Sequence, residues 1–409
     1  MDFVFLRDFV RLSIRINSRE VAWSGVRLVP SVLDSPLHNR DTMVRTRLSL
    51  IFVALLLSQG KAAKLDEDLL TELLTPIQIE QEMPGLRAAV LYSDGALIQS
   101  AVGLADVENN IPLDHDIGMP GGSTGKSFAA TLVMLLAEDG TLTLDDLASD
   151  WVSDESWFKD LPNHEDIRVH HLLSHSSGLS DYPSTTRYMV LSIWRALRHG
   201  GIRFTRDELI EMAANKKPLF PVGEGFAYSD SGYLVLGKVI EAATGRDYYE
   251  LIQDRVLKPQ NLHQVRPQNV SALPNIAPGY TRGARNLRKD GTMKVDPISE
   301  WTGGGLVTNP TMLVRFFSAL AGGAIVKPET FESMKNSGWQ DPTSPDWHYG
   351  FGLFVTHHGN VVEHGGLWMG YRSHVRHYLD DQLTIAVQTN RDGSINLEAI
   401  VDQIAKRAQ

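Results

Sequence analysis

Residues 128–137, Phe-Ala-Ala-Thr-Leu-Val-Met-Leu-Leu-Ala, would be apolar on nearly every face of a helix. Such a helix has no solvent side, so the rest of the chain must wrap around it. Asp139-Gly140 supplies its C-terminal stop. Just ahead of it stands Gly121-Gly122-Ser123-Thr124-Gly125-Lys126-Ser127. Positions i and i+3 share a helix face, with Cβ atoms about 5–6 Å apart, so Lys126 lies within reach of Ser123. A serine hydroxyl is a poor nucleophile without such a neighbour. Burial at the first turn would lower the lysine pKa towards that of a base. The competing reading is a Gly/Ser cap on a core helix with an exposed lysine.

Two other chemistries are excluded by spacing. A phosphate-binding loop has four residues between its glycines before Lys-Ser. Here Gly121 and Gly125 enclose three, and Pro120 stands where the first glycine belongs. Gly121-x-Ser123-x-Gly125 also matches a nucleophile elbow, but that turn follows a hydrophobic strand, which Leu113-Asp114-His115-Asp116-Ile117 is not.

The 409 residues suffice for one large domain with an inserted lobe, or for two domains. Residues 1–62 carry nine basic and five acidic side chains, so the remainder holds −14 of the net −10. That surface repels nucleic acid and anionic membrane at long range. With no cysteine, disulfides, thiolate metal sites and a cysteine nucleophile are all excluded.

Met43-Val44-Arg45-Thr46-Arg47 is basic, residues 48–57 are apolar, and small residues follow at Gly60 and Ala62. Ten apolar residues make only about 15 Å of helix, too short for a bilayer. The order reads as a secretory signal over 43–62, with 1–42 an over-extended start and 64–409 the exported domain. No stable membrane insertion is expected once the signal is cleaved.

Residues 86–91 and 96–102, around Asp94-Gly95, predict a β-hairpin. Residues 141–300 read as helices and loops, with 206–215 and 231–244 the better helices. Short strands return at 347–356, 360–364, 371–379 and 382–388, and 395–408 is an amphipathic helix. The fold class is therefore α+β, an antiparallel sheet built from both chain ends and flanked by helices, with an inserted, mainly helical lobe at about 141–300.

Two further clusters carry chemistry. In Phe226-Ala227-Tyr228-Ser229-Asp230-Ser231-Gly232, an extended backbone would point Tyr228 and Asp230 the same way. In Glu363-His364-Gly365-Gly366-Leu367, the glycines permit close backbone approach at a strand edge. Ser123-x-x-Lys126, Tyr228-x-Asp230 and His364-Gly365-Gly366, in this order, resemble the three motifs of the serine β-lactamase-related hydrolases. That group takes in class C β-lactamases, D-alanyl-D-alanine carboxypeptidases, D-aminopeptidases and β-lactamase-like esterases. Residues 169–179 and 303–307 are similar to other stretches of the family.

The resemblance implies a β-lactamase/transpeptidase-like fold and a covalent acyl-enzyme formed on a small amide, peptide or ester. It implies Ser123 as nucleophile and proton work shared between Lys126 and Tyr228, with the base left open. The backbone N–H groups of Ser123 and Leu367 would form the oxyanion hole. Asp230, His364, Gly365 and Gly366 would bind substrate. Asparagine is usual at position 230, and an aspartate there would raise the Lys126 pKa. Asp230 also has a plainer reading as a helix N-cap. Lysine is usual at position 364 in β-lactamases. A histidine, mostly neutral at pH 7, suits esterase and aminopeptidase relatives better and would titrate near pH 6–7.

His164, His170, His171 and His175 lack the glutamate of a zinc-protease helix, and adjacent His170 and His171 should diverge, so no metal or cofactor is expected. The alternative function is a non-catalytic or slowly acylated sensor of the same fold.

Overall fold

A computed structural model describes residues 65–409; the expected signal over 43–62 and the segment 1–42 lie outside the described residues. The chain opens with helix α1 (Glu67–Glu80), started by Asp66, whose carboxylate accepts the Leu69 N–H at 2.8 Å. The expected hairpin follows as β1 (Gly85–Leu91) and β2 (Leu97–Asp106). Gly95 takes φ +83° at the turn, a conformation that favours glycine. A two-residue β3 (Ile111–Pro112) leads to helix α2 (Gly125–Glu138), buried along its whole length except at Leu135, Ala137 and Glu138.

The lobe contains α3 (Thr186–His199) and α4 (Asp230–Thr244). Helix α5 (Pro310–Ala321) returns the chain to the sheet. Strands β4 (His348–Tyr349), β5 (Phe354–Thr356), β6 (Val361–Trp368), β7 (Tyr371–Tyr378) and β8 (Leu383–Thr389) precede the last helix, α6 (Leu397–Ala408).

These eight strands form one antiparallel sheet in the order β3-β2-β1-β8-β7-β6-β5-β4. The two chain ends meet at its centre, where Leu86 pairs with Thr389 and Val90 with Ile385. One face buries Leu86, Ala88, Val90, Ile385 and Val387 beneath α1 and α6. The other face packs on α5 and α2, with the Phe128 and Phe316 rings stacked 3.6 Å apart.

Three expectations shift in detail. The strand expected over 347–356 is split into β4 and β5, because Gly352 turns at φ +72° against α2, and its carbonyl accepts the Ser127 hydroxyl at 2.7 Å. Strand β6 runs past His364 through both glycines, held by the pairs Gly365–His374 and Gly366–Ser373. The lobe is helical only to about residue 257; beyond it come loops and two-residue strands.

Two buried polar groups tie the sheet to its surroundings. Arg87, fully buried in β1, donates to Gln388 Oε1 at 2.7 Å and to the Ile117 and Asp114 carbonyls at 2.6 and 3.0 Å. It thereby fixes the segment that delivers Ser123. Glu363 accepts from Arg376 at 2.6 Å and lies 3.0 Å from His374 Nε2, while Arg376 also reaches Asp402 on α6 at 2.5 Å. Burial pushes the Glu363 carboxyl up, but hydrogen bonds and charge from His374 and Arg376 outweigh it and hold the pKa down at about 2.

A carboxyl depressed in the folded state stabilises above its unfolded pKa, and that stability is lost as pH falls through the folded value. Urea midpoints should therefore drop as pH falls from about 4.5 towards 2. Glu363→Gln should be about 3 kcal/mol less stable at pH 7, because Arg376 loses its buried partner. It should also show a flatter acid limb; equal slopes in the two proteins would disprove the role.

Candidate active site

Ser123 lies in the single 3₁₀ turn Gly122–Thr124 that runs straight into α2, and it is partly exposed while its neighbours are buried. The turn is held from two sides. Gly121 N–H donates to the Leu306 carbonyl at 2.8 Å, and the Gly121 carbonyl accepts the Ser373 hydroxyl at 2.6 Å. Gly122 sits at φ +56°, and a Cβ built there would lie 2.6 Å from Leu367 N. The Leu367 backbone is thus pressed against the serine turn. A Cβ at Gly366 would collide with the Gly121 carbonyl, so this glycine serves close packing of β6 and has no room to bind substrate.

Lys126 is fully buried. Its ammonium donates to Ser123 Oγ at 3.4 Å, to the Gly303 carbonyl at 2.5 Å and to Asp230 Oδ1 in a short ion pair. An ammonium has three N–H donors, and here each has an acceptor. Burial alone would lower this pKa. The charge of Asp230, aided by Tyr228 and Glu300, reverses that and raises it above the ordinary lysine value. The expectation of a lysine lowered towards a base is therefore corrected: Lys126 is a cation, and the carboxylate at position 230 is the reason.

Asp230 opens α4, but the N-cap is Ser229, whose hydroxyl accepts the Gly232 N–H at 3.1 Å. The Asp230 side chain is thereby left to hold Lys126 through Oδ1. Tyr228 packs its ring 4.9 Å from Lys126 Nζ. Its buried Oη meets no partner at full hydrogen-bond geometry, although it lies close enough to Ser123 and Lys126 to feel both. Burial raises the phenol to about 12 against the opposing charge of Lys126.

His364 departs most from expectation. It is 1% exposed, behind Tyr228. Its Nδ1 donates to the Gly365 carbonyl at 2.7 Å, which leaves Nε2 to accept the Tyr349 hydroxyl at 3.0 Å. Burial drives its pKa down to about 3, so it does not titrate near pH 6–7. Strand alternation turned its side chain into an aromatic cluster with Tyr228, Tyr349 and Phe354.

Sequence reasoning missed three residues. Asp181 accepts the Asp230 N–H at 2.8 Å and fixes the start of α4. Glu300 begins the turn that supplies the Gly303 carbonyl, and a Cβ at Gly304 would strike both its Oε2 and the Gly122 backbone. Burial first, then repulsion from Asp230, lifts Glu300 to about 8, and the same two causes raise Asp181. His175, at φ +57°, stacks 4.2 Å from Tyr228 and accepts the Ser229 N–H on Nδ1 at 3.1 Å, so it buttresses that ring. Only its place within 169–179 hinted at this. His170 and His171 do not diverge: their Nε2 atoms are 3.0 Å apart and hydrogen-bonded.

The sequence pattern of the family described as Beta-lactamase matches residues 67–408. A penicillin-binding protein of Bacillus subtilis is 25% identical over 78% of this chain and 71% of its own length. The D-aminopeptidase of Brucella anthropi is 23% identical over 81% of this chain, which spans 61% of that protein. Among solved structures, a D-stereospecific amidohydrolase from Streptomyces sp. shares the fold at a TM-score of 0.71 and 24% identity, covering 83% of this chain and 98% of its own.

Gly122→Ala should lower kcat by at least about 100-fold with the fold retained, because a displacement near 1 Å at the serine turn is enough for that loss. Near-normal kcat with an unchanged circular dichroism spectrum would show that the close approach of Leu367 does not matter.

Proposed function

We propose, from the premise that this chain belongs to the beta-lactamase family, that Ser123 is the nucleophile of its acyl-enzyme chemistry. The protein is a serine hydrolase acting on small amides, peptides or esters. One observation carries the assignment of roles: Lys126 has all three donors engaged and one of them aimed at Ser123. An ammonium so placed stabilises charge growing on the serine oxygen and accepts no proton from it.

Tyr228 is then the proton carrier. In one concerted step its Oη takes the Ser123 proton as Oγ bonds to the carbonyl carbon, while its own proton moves onto the leaving nitrogen or oxygen, so the phenol stays neutral throughout. The carbonyl oxygen becomes the oxyanion, facing the N–H groups of Ser123 and Leu367, each worth about 2.7–4 kcal/mol in such a role. When that tetrahedral intermediate collapses, the scissile bond breaks and leaves an ester on Ser123. Water attacks that ester by the same route in reverse.

Because His364 is neutral and enclosed, it offers no fixed cation to a substrate carboxylate. This favours uncharged or amine-bearing amides and esters over penicillins, and D-aminopeptidase is the activity named for one relative. The basic, apolar, small order over 43–62 supports export, which N-terminal sequencing of the native protein tests.

Ser123→Ala should reduce turnover by a factor on the order of 10⁶ with the fold unchanged. Residual activity of a few per cent, or a fluorophosphonate adduct on another residue, would remove Ser123 from the mechanism. Glu300, neutral below about pH 8, becomes an anion above it and adds a negative charge beside Lys126 and Asp230, which opposes the negative charge growing on the serine oxygen. The wild-type kcat/KM should decline above that pH, and Glu300→Gln should lose the decline. An unchanged profile would show that Glu300 is a bystander.

A further inference from the structure

Helix α3 is inside out. Ser192 and Ala196 are buried on its inner side, while Val190, Trp194 and Leu197 are 54%, 54% and 56% exposed. At about 100° per residue these three fall on one outward stripe. Arg187 and Arg198 lie roughly 20–40° further round from Trp194, both exposed, by the same spacing, and Arg187 also pairs with the surface carboxylate of Glu211 at 3.6 Å. No aspartate or glutamate occurs in the helix, although residues 63–409 are strongly acidic as a whole.

The inner side is firmly fixed, so the stripe is not waiting to fold inward. Tyr188 packs on Tyr182 and Phe204 at 5.3 and 5.2 Å, and Arg195 binds Glu208 at 2.6 Å over the Phe204 ring. Thr185 caps one end, and Gly200, at φ +68°, closes the other.

We infer that this stripe is a docking surface for an anionic lipid bilayer. A rigid helix with a central tryptophan between aliphatic residues, flanked by arginines, has the make-up of an interfacial helix. Trp194 and the aliphatic side chains enter the headgroup boundary, and the arginines meet lipid phosphates. A second copy of the chain fits less well, since an antiparallel two-fold contact of the stripe would bring Arg187 of one copy towards Arg198 of the other, like charge against like. The bulk negative charge opposes approach only at long range and is screened beyond about 8 Å at physiological salt. No helix among the described residues is long and apolar enough to cross a membrane, so the contact is peripheral. The turn Tyr182–Ser184 joins α3 to Asp181, which accepts the Asp230 N–H, so the docking helix is linked through a short segment to the start of α4.

The test uses the full chain with vesicles of phosphatidylcholine alone or mixed with phosphatidylglycerol. Sedimentation should show binding to the anionic vesicles, weakened by salt. The triple variant Val190→Ser, Trp194→Ser, Leu197→Ser should bind at least about tenfold more weakly and hydrolyse a soluble ester at the wild-type rate. Brominated lipid should quench the fluorescence difference between wild type and Trp194→Phe, a readout needed because the chain has eight tryptophans. Equal sedimentation of wild type and triple variant, or no quenching of that difference, overturns the proposal. So does a wild-type dimer that the triple variant converts to monomer, which would assign the stripe to a second copy.

Discussion

A buried ammonium cannot be left without acceptors, and in this protein that requirement organises the site. The Lys126 nitrogen draws in the serine turn at the head of α2, the first residue of α4 and the Gly303 carbonyl. These segments are 104 and 177 residues away from Lys126 along the chain. Removing the Asp230 carboxylate would strand that charge in the interior, at a cost of several kcal/mol. The catalytic geometry and the folding of the lobe against the sheet are therefore the same event.

The aspartate at position 230 gives this network its character. An amide there would leave burial free to lower the lysine; the carboxylate does the reverse and fixes it as a cation. Proton transfer then falls to Tyr228, whose ring is held by His175 and whose oxygen is kept free of other partners. Asp181 and Glu300, close by, make the cleft a place where carboxylates repel one another and one lysine balances them.

What was legible in the sequence was what periodicity and spacing encode. The all-apolar run after Ser123 made α2 central, and strands at both chain ends led to one sheet. The Ser123, Lys126, Tyr228 and Asp230 side chains stand together because they sit at the starts of helices or just before them, where local rules hold. His364 was misplaced because a two-residue period says that a side chain faces one side of a sheet but not which side is open. Asp181 and Glu300 were illegible because each sits in an irregular turn whose path is set by distant contacts. Helices α1, α3 and α5 were passed over: two carry proline at or inside their ends, and α3 buries its weaker face.

The meeting of the two chain ends at the centre of the sheet bears on how the protein comes into being. Strand β1 has β2 on one side, but its other neighbour, β8, lies far along the chain. Until residue 389 emerges, the central pairing of Leu86 with Thr389 cannot form, and the face that α1 and α6 later cover stays open. Contacts of such long sequence separation make folding slow and leave apolar strand edges exposed meanwhile. The central pairing therefore waits for β8, and only then can the sheet on which the serine turn is mounted close.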